Sequence, residues 1–463
     1  MPELPEVETV RRILSSFLEG ITILKVHIYR AANIVSGALS FPKQVEGKKI
    51  LSVSRRGKYL LFNLDDGSLI LSHLRMEGKY LEVPLSYPKS PYDILDYELS
   101  SGTRLVYQDT RKFGTIAYYP SRAEAFKSSP LASLGPEPFD LSDEEFYSRI
   151  HLEKGPIKKV LMDQTILAGI GNIYADESLF ASSIHPKTKA YDLDLASATR
   201  LLANIQRILQ EAIQKGGSTI RSYHPQQGVD GKMQNELQVY SKRGQPCPRC
   251  GTPLSKIHLE GRGTTFCFRC QKAIHRPFVL GITGPIHAGK STAAAYFRSQ
   301  GYHYFDADKA VWELYEDYKV QKEIQKIAGK KTVKKGKIDK AELRHVLSSS
   351  PAKRKKVEQL LDPLLVERAK NQIASLTEKD KILLDVPRLF SSGLGDCCDA
   401  TILIESHPEK RNQRLLDEGR DATRLMKLNS SYPLKQVQKQ VNFIVDNNGS
   451  KEDFYQKLKA LSL

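Results

Sequence analysis

The sequence predicts a multidomain protein: a β-rich region led by one helix, a helical region, a zinc ribbon, and an α/β domain built on a parallel sheet. Three observations predict this. Short alternating apolar runs fill residues 1–130, two CxxC pairs lie between 247 and 270, and a strand–loop–helix phosphate pattern opens a βα alternation at Phe278. The 463 residues suffice for about three domains of roughly 150 residues each. Hydrophobic residues make up 40%, enough for real cores. Lys+Arg number 70 against 53 Asp+Glu, a formal charge of +17, which points to a polyanionic partner, nucleic acid first. No apolar run reaches the roughly 18 residues of a spanning helix, so a membrane-spanning helix is not expected. The opening MPELPEVETVRR is acidic and lacks the apolar stretch of a secretory signal. Six cysteines are too few for a disulfide scaffold. A cytoplasmic monomer is the expectation.

The elements follow in order. Val7, Val10, Ile13, Leu14 and Phe17 recur at helical spacing, so Pro5–Leu18 reads as an amphipathic helix. KYLLFNL, SLILSHL and RLVYQDT read as strands, punctuated by Asp66-Gly67 and Ser101-Gly102. LASLGPEPF is a joint, after which residues 131–220 turn helical. KKVLMDQTILAGIGNIYADESLF reads as helix, tight turn, helix. Gly169 and Gly171 permit the turn, and its amides, with the helix start at Asn172, suit a phosphate. Cys247, Cys250, Cys267 and Cys270 form two knuckles with sixteen residues between them, a spacing that suits one tetrahedral structural Zn²⁺. The short joint at Arg276-Pro277 sets the last module close against the cysteine module. Cys397 and Cys398 read as ordinary buried thiols. The lysine-rich stretch Lys319–Lys356 reads as a solvated helical face. From Phe278, FVLGIT, YHYFDAD, KILLDVP and ATILIE alternate with helices, the pattern of a parallel sheet. Gly284-x4-Gly289-Lys290-Ser291 fits a phosphate-binding loop. Its amides cradle phosphates, Lys290 reaches the β/γ oxygens and Ser291 serves Mg²⁺.

Pro2 carries a particular chemistry. Without Met1 it presents a secondary amine. An α-amino group titrates near roughly 7.7–8, far below lysine, so much of it is nucleophilic at neutral pH. Attack on a sugar C1′ forms an iminium ion. Glu3 and Glu6 lie close by for proton transfer.

MPELPEVETVRR resembles the start of the bacterial formamidopyrimidine-DNA glycosylases, and further matches follow in family order to residue 272. The resemblance implies a β-sandwich catalytic domain over 1–130, a helix–two-turn–helix domain over 131–236 and a zinc finger over 237–272. It makes Pro2 and Glu3 catalytic. It assigns Lys58 in RRGKYLLF to phosphate contact and β-elimination. Met76, Arg111 and Phe113 fill the gap left by a flipped nucleotide. Asn172 in GIGNIYADE and Lys154 become DNA contacts. Tyr92 stands where the family usually has histidine. Arg262 grips phosphates and serves δ-elimination. Ser218, Thr219 and Arg221 begin the loop that closes over the lesion. Leu4 and TRKFG favour oxidised purines over the oxidised pyrimidines of the endonuclease VIII relatives. Double-stranded damaged DNA is the implied partner.

Residues 278–463 resemble the dephospho-CoA kinases. That implies ATP and dephospho-CoA as substrates, with Mg²⁺. Gly284, His287, Ala288, Gly289, Lys290, Ser291 and Thr292 become the ATP loop. Asp306, in the Asp306–Asp308 motif, accepts the 3′-hydroxyl proton, and Arg414 and Arg420 clamp phosphates. Departures from the pattern are Pro285, His287 and Ala288 in the loop, Asp362-Pro363 for a His-Pro pair, and Pro387-Arg388-Leu389-Phe390-Ser391 for PLLFE. The expectation is therefore a bifunctional enzyme. A glycosylase carrying a nucleotide-binding domain without turnover is the alternative. Loss of zinc is expected to abolish DNA binding. It is expected to spare the kinase half, which holds no zinc ligand.

Overall fold

In the computed structural model, which describes residues 2–128, 130–218, 233–417, 432–461 and 463, the chain opens on helix α1 (Leu4–Leu18). The Glu3 amide donates to the Glu6 carboxylate at 2.8 Å, which starts the helix. Val7, Val10, Leu14 and Leu18 are buried in one stripe, while Ile13 and Phe17 are half-buried at its rim. Thr219, Arg221 and Arg420 lie outside the described residues.

The chain forms two compact units, Met1–Tyr240 and Ser241–Leu463. In the first, β1 (Ile23–Ile28), β2 (Ile50–Arg56), β3 (Tyr59–Leu64), β4 (Leu69–His73), β5 (Lys79–Pro84), β6 (Asp93–Leu99), β7 (Thr103–Gln108) and β8 (Thr115–Tyr119) make two four-stranded antiparallel sheets. Their orders are β1-β6-β7-β5 and β2-β3-β4-β8. Phe62 of one sheet meets Tyr80 of the other edge-on at 5.5 Å, inside a core that α1 also enters. This is the β-sandwich with a leading helix. The turn glycines Gly67 and Gly102 both sit at φ near 82°, as the Asp-Gly and Ser-Gly pairs require.

Helices follow: α2 (Phe41–Val45) and α3 (Arg122–Lys127) flank the sandwich, then come α4 (Asp143–His151), α5 (Ile157–Met162), α6 (Asn172–Ala181) and α7 (Leu195–Gln214). In α7, Leu201, Leu202, Ile205, Ile208 and Leu209 form the buried stripe. Helix α6 is different, because every residue from Ile173 to Phe180 is buried. A helix enclosed on all sides must satisfy its charges internally. Asp176 pairs with Lys158 of α5 at 2.7 Å, both fully buried. The Glu177 carboxylate accepts from the amides of Gln238, Val239 and Tyr240 at 2.8, 2.9 and 2.8 Å. The GIGNIYADE string therefore carries two buried anchors. Lys158→Ala removes the cation that balances Asp176 and should destabilise the first unit by about 3–5 kcal/mol. Lys158→Met with Asp176→Leu should recover most of that loss in denaturant titrations.

The second unit begins with the ribbon hairpin, β9 (Ser255–Leu259) and β10 (Arg262–Phe266). A five-stranded parallel sheet follows, ordered β12-β15-β11-β16-β17. Its strands are β11 (Phe278–Thr283), β12 (His303–Asp306), β15 (Lys381–Asp385), β16 (Ala400–Glu405) and β17 (Phe443–Asp446), with the short hairpin β13 (Val333–Lys334) and β14 (Lys337–Ile338) between. Helices α8 (Lys290–Ser299), α9 (Ala307–Leu314), α10 (Tyr318–Ala328), α11 (Lys340–Ser349), α12 (Pro351–Ala374) and α13 (Pro408–Asp417) precede Leu434–Gln438 and Lys451–Ala460, the last helices among the described residues. Within the lysine-rich stretch, α10, α11 and the start of α12 are helical and the β13–β14 hairpin interrupts them; Val320, Ile324 and Leu343 are buried beneath the charged faces. Cys397 and Cys398 are buried.

The ribbon shares its apolar residues with this sheet. Ile257, Phe266 and Phe268 belong to the same core as Leu280, Ile282, Ile402 and Val445. Phe268 lies 5.6 Å from Phe278 and 6.3 Å from Phe443, ring to ring. At the joint, Arg276 pairs with Asp399 at 2.7 Å, and the other oxygen of Asp399 accepts from the Val279 amide at 2.9 Å. The two modules are close-packed, as the short joint predicts.

Candidate functional site

In the first unit, the N-terminus meets the glycine turn before α6. Glu3 is 2% exposed. Its carboxylate accepts from the amides of Gly171 at 2.6 Å, Ile173 at 2.9 Å and Tyr174 at 3.4 Å. It thus sits at the positive end of α6. The turn is shaped for this contact. A Cβ at Gly171 would lie 2.4 Å from the Glu3 carboxyl carbon. A Cβ at Gly169, whose φ is 101°, would lie 2.6 Å from Leu4. The Leu4 amide also donates to the Gly169 carbonyl at 3.0 Å. Sequence reasoning offered these amides to a phosphate, whereas those of Gly171, Ile173 and Tyr174 are directed to Glu3. At the helix start, the Asn172 side chain hydrogen-bonds Tyr240.

Burial pushes the Glu3 carboxyl up to about 7, against the pull of Lys58 and the backbone donors. Both protonation states are therefore populated at neutral pH. Lys58, 4% exposed, donates to the Ile170 carbonyl at 2.7 Å in the same turn. Pro2 is buried beside Glu3. Beneath them, Glu6 accepts from Tyr174 Oη at 2.6 Å, and from the Ser218 amide and hydroxyl at 2.8 and 3.0 Å. The structure thus gathers Pro2, Glu3, Lys58, the glycine turn and Ser218. Arg55 locks the two parts of this unit together through a bidentate pair with Glu137, 2.9 Å on each branch.

Arg111 and Phe113 lie in the loop after β7. Phe113 is 56% exposed, which excludes core packing as its role. The Arg111 guanidinium lies 5.2 Å from its ring. The loop is tied by buried Asp109, whose carboxylate accepts from the amides of Arg111, Phe113 and Gly114 at 2.9, 2.9 and 2.7 Å. Lys112 takes a φ of 59°, a strained value for a non-glycine residue. Met76 is half-buried after β4. His73 holds that loop by accepting from the Arg75 amide at 3.0 Å. Burial drops His73 to about 3, so it stays a neutral acceptor. Tyr92 is half exposed, and its carbonyl accepts from the Asp109 amide at 2.9 Å. Lys154 is exposed between α4 and α5. Sequence reasoning missed Asp109 and His73. Asp109 stood inside DTRKFGT, where an aspartate two residues before a loop tip signals this capping.

In the second unit, the four Sγ atoms of Cys247, Cys250, Cys267 and Cys270 lie within 4.8 Å of one another. Cys247–Cys270 is 3.8 Å and Cys250–Cys267 is 3.5 Å. A tetrahedron of thiolates about 2.3 Å from zinc has edges of about 3.8 Å, so the set fits the metal. All four positions are filled by protein, which leaves none for catalysis. Arg262 follows the hairpin turn Glu260-Gly261, exposed at the tip.

Above the carboxyl ends of the parallel sheet lies a cavity of about 1110 Å³. His287, Gly289, Lys290, Ser291, Thr292, Asp306 and Arg414 line it. Ala288 does not; its side chain is buried in the core. Gly284 is not on the lining either, since a Cβ there would meet the Ile404 carbonyl at 2.3 Å. Lys290 donates to the carbonyls of Gly284 and Pro285 at 2.9 and 3.1 Å. Burial lowers it, while Asp385 and Asp308 hold it up. His287 adopts a φ of 59°, a strained value for a non-glycine residue. Its carbonyl is held by Arg414 at 3.0 Å. Asp306 caps α9 through the Lys309 amide at 3.0 Å and pairs in register with Asp385. Asp385 also lines the cavity and accepts from Tyr304 Oη at 3.0 Å, with its carboxyl raised by burial. It was missed although it ends β15 within KILLDVP, the strand beside the loop strand. Two departures from the family pattern meet: Arg388 pairs with Asp362 at 3.2 Å and with Glu358 at 3.3 Å.

Comparison with known proteins settles the lineage. Residues 1–116 match the formamidopyrimidine-DNA glycosylase N-terminal domain, 134–224 its H2TH domain, and 244–273 the zinc finger found in FPG and IleRS. The formamidopyrimidine-DNA glycosylase of Streptococcus pyogenes serotype M18 is 46% identical over 278 residues, covering 59% of this chain and 99% of that protein. The chain belongs to the formamidopyrimidine-DNA glycosylase family. The Bacillus subtilis glycosylase is 45% identical over 279 residues, covering 58% of this chain and 99% of that protein. Among solved structures, a Lactococcus lactis FPG mutant complexed with Fapy-dG-containing DNA is 41% identical with a TM-score of 0.56. It matches over 58% of this chain and 100% of its own. MutM in complex with carbocyclic 8-oxo-G-containing DNA is 42% identical, with a TM-score of 0.55 and the same coverage. Beyond this glycosylase portion, residues 278–453 match the dephospho-CoA kinase family. No described helix is long and apolar enough to cross a membrane.

Proposed function

We propose that the chain is a bifunctional enzyme. Its glycosylase half excises oxidised purines from duplex DNA, and cleaves the abasic site by β,δ-elimination through an iminium ion at Pro2. Its kinase half transfers phosphate from ATP, with Mg²⁺, to the 3′-hydroxyl of dephospho-CoA. The working divisions are 1–130, 131–236, 237–272 and 278–463. The observation that carries the first activity is Glu3, buried on the α6 terminus beside Lys58 and Pro2 with its carboxyl near 7. A group that both gives and takes a proton at neutral pH suits base release followed by ring opening of the sugar. Lys58, held to the same glycine turn through the Ile170 carbonyl, would assist elimination. Arg111, Phe113 and Met76 suit an unstacked gap, and Asn172, Lys154, Tyr92 and Arg262 suit the backbone.

For the second activity, Lys290, Arg414 and the loop amides suit the phosphates. Ser291, Asp306 and Asp385 bring oxygen donors for the cation and for the hydroxyl proton. The cation would neutralise charge between the phosphates. The pairing of Arg388 with Asp362 favours an intact domain over a decayed one, since one departure balances the other.

Both activities are tested on the purified full chain. Borohydride should trap it on 8-oxoguanine duplex, and Pro2→Gly should weaken trapping. Undiminished trapping by a form retaining Met1 rules out the amine. In the same preparation, ATP binding without CoA formation at saturating substrate would favour nucleotide binding alone.

A further inference from the structure

Three buried apolar side chains of the ribbon, Ile257, Phe266 and Phe268, join the core of the parallel sheet. Polar contacts follow the same seam. Ser255 Oγ donates to the Asp399 carbonyl at 2.7 Å and accepts from Asn442 Nδ2 at 2.9 Å. The His258 amide donates to Asp396 at 2.7 Å, and Arg269 donates to the Leu461 carbonyl at 2.9 Å. The aromatic seam falls at the starting ends of strands: Phe278 opens β11 and Phe443 opens β17. Ser255 reaches the residue just before β16. The nucleotide cavity lies at the opposite end, and no ribbon residue lines it.

We propose that the zinc site is a structural cofactor of the kinase domain as well as of the DNA-binding hairpin. The ribbon is a two-stranded hairpin with two knuckles. A hairpin of that size is marginal without help, and a four-thiolate metal supplies it. When the metal leaves, the hairpin opens and uncovers the starting edge of the sheet. The expectation from ligand positions alone, that the kinase half is indifferent to zinc, would then fail. Because the seam is remote from the cavity, the coupling acts on folding and not on contacts to ATP.

The test uses the full chain and reads folding, so it does not depend on turnover. Zinc is stripped with a chelator, its loss is confirmed by metal analysis, and hydrogen exchange is followed by mass spectrometry. Exchange in 278–283, 400–405 and 443–446 should accelerate about tenfold or more, and added Zn²⁺ should reverse it. The unfolding temperature of this unit should fall by about 5 °C or more. Phe268→Ala should open the same strands with zinc content unchanged. Unchanged exchange in those strands after stripping overturns the proposal, as does unchanged exchange in zinc-loaded Phe268→Ala. If that variant does not fold, the stripping arm decides alone.

Discussion

Glu3→Gln should lower base excision by on the order of 10²–10⁴-fold while leaving duplex affinity within a few-fold of wild type. The amide keeps one acceptor for the α6 backbone donors but cannot carry a proton. The carboxyl, raised to about 7 by its burial, would supply that proton at neutral pH. Abasic-site cleavage on a preformed abasic duplex should fall less, because the Pro2 amine can still attack an open sugar. Single-turnover excision and gel-shift titration, run side by side, separate the two effects. An excision rate within threefold of wild type would remove Glu3 from the chemistry.

Lys290→Ala should cut phosphoryl transfer by on the order of 10²–10³-fold. The ammonium is held over the cavity by two loop carbonyls and faces Asp308 and Asp385. Removing it deletes the positive charge proposed to meet the β/γ oxygens. Asp306→Asn should reduce turnover more than it reduces ATP binding, because its carboxylate, on the cavity wall, is the proposed acceptor of the hydroxyl proton. Neither change should alter DNA nicking. Coupled turnover assays and nucleotide titration distinguish these outcomes, and full CoA formation by Lys290→Ala would disprove the assignment.

The strands, the leading helix, the cysteine site and the phosphate loop were legible because each leaves a local period or spacing. KYLLFNL contains β3, RLVYQDT overlaps β7, and the apolar stripe of α1 is spaced as a helix demands. What was not legible depends on distant partners. Nothing near GIGN in the chain says that its amides serve a carboxylate 168 residues earlier. Lys158 and Asp176 each look like surface charges until α6 is seen to be enclosed. Ile257, Phe266 and Phe268 look alike whether they cover their own module or a neighbour. Asp385 was hidden by its apolar strand, although a carboxylate ending the strand next to a phosphate loop is a local signal.

The seam between ribbon and sheet also bears on how such a gene can change. A break in the reading frame anywhere from residue 273 to 277 would leave both products with an exposed aromatic edge: Phe266 and Phe268 on one, Phe278 and Phe443 on the other. Each product would be prone to aggregate until polar substitutions masked the scar. Separating the two halves would therefore take compensating polar substitutions on both sides of the seam, whether or not the two activities communicate.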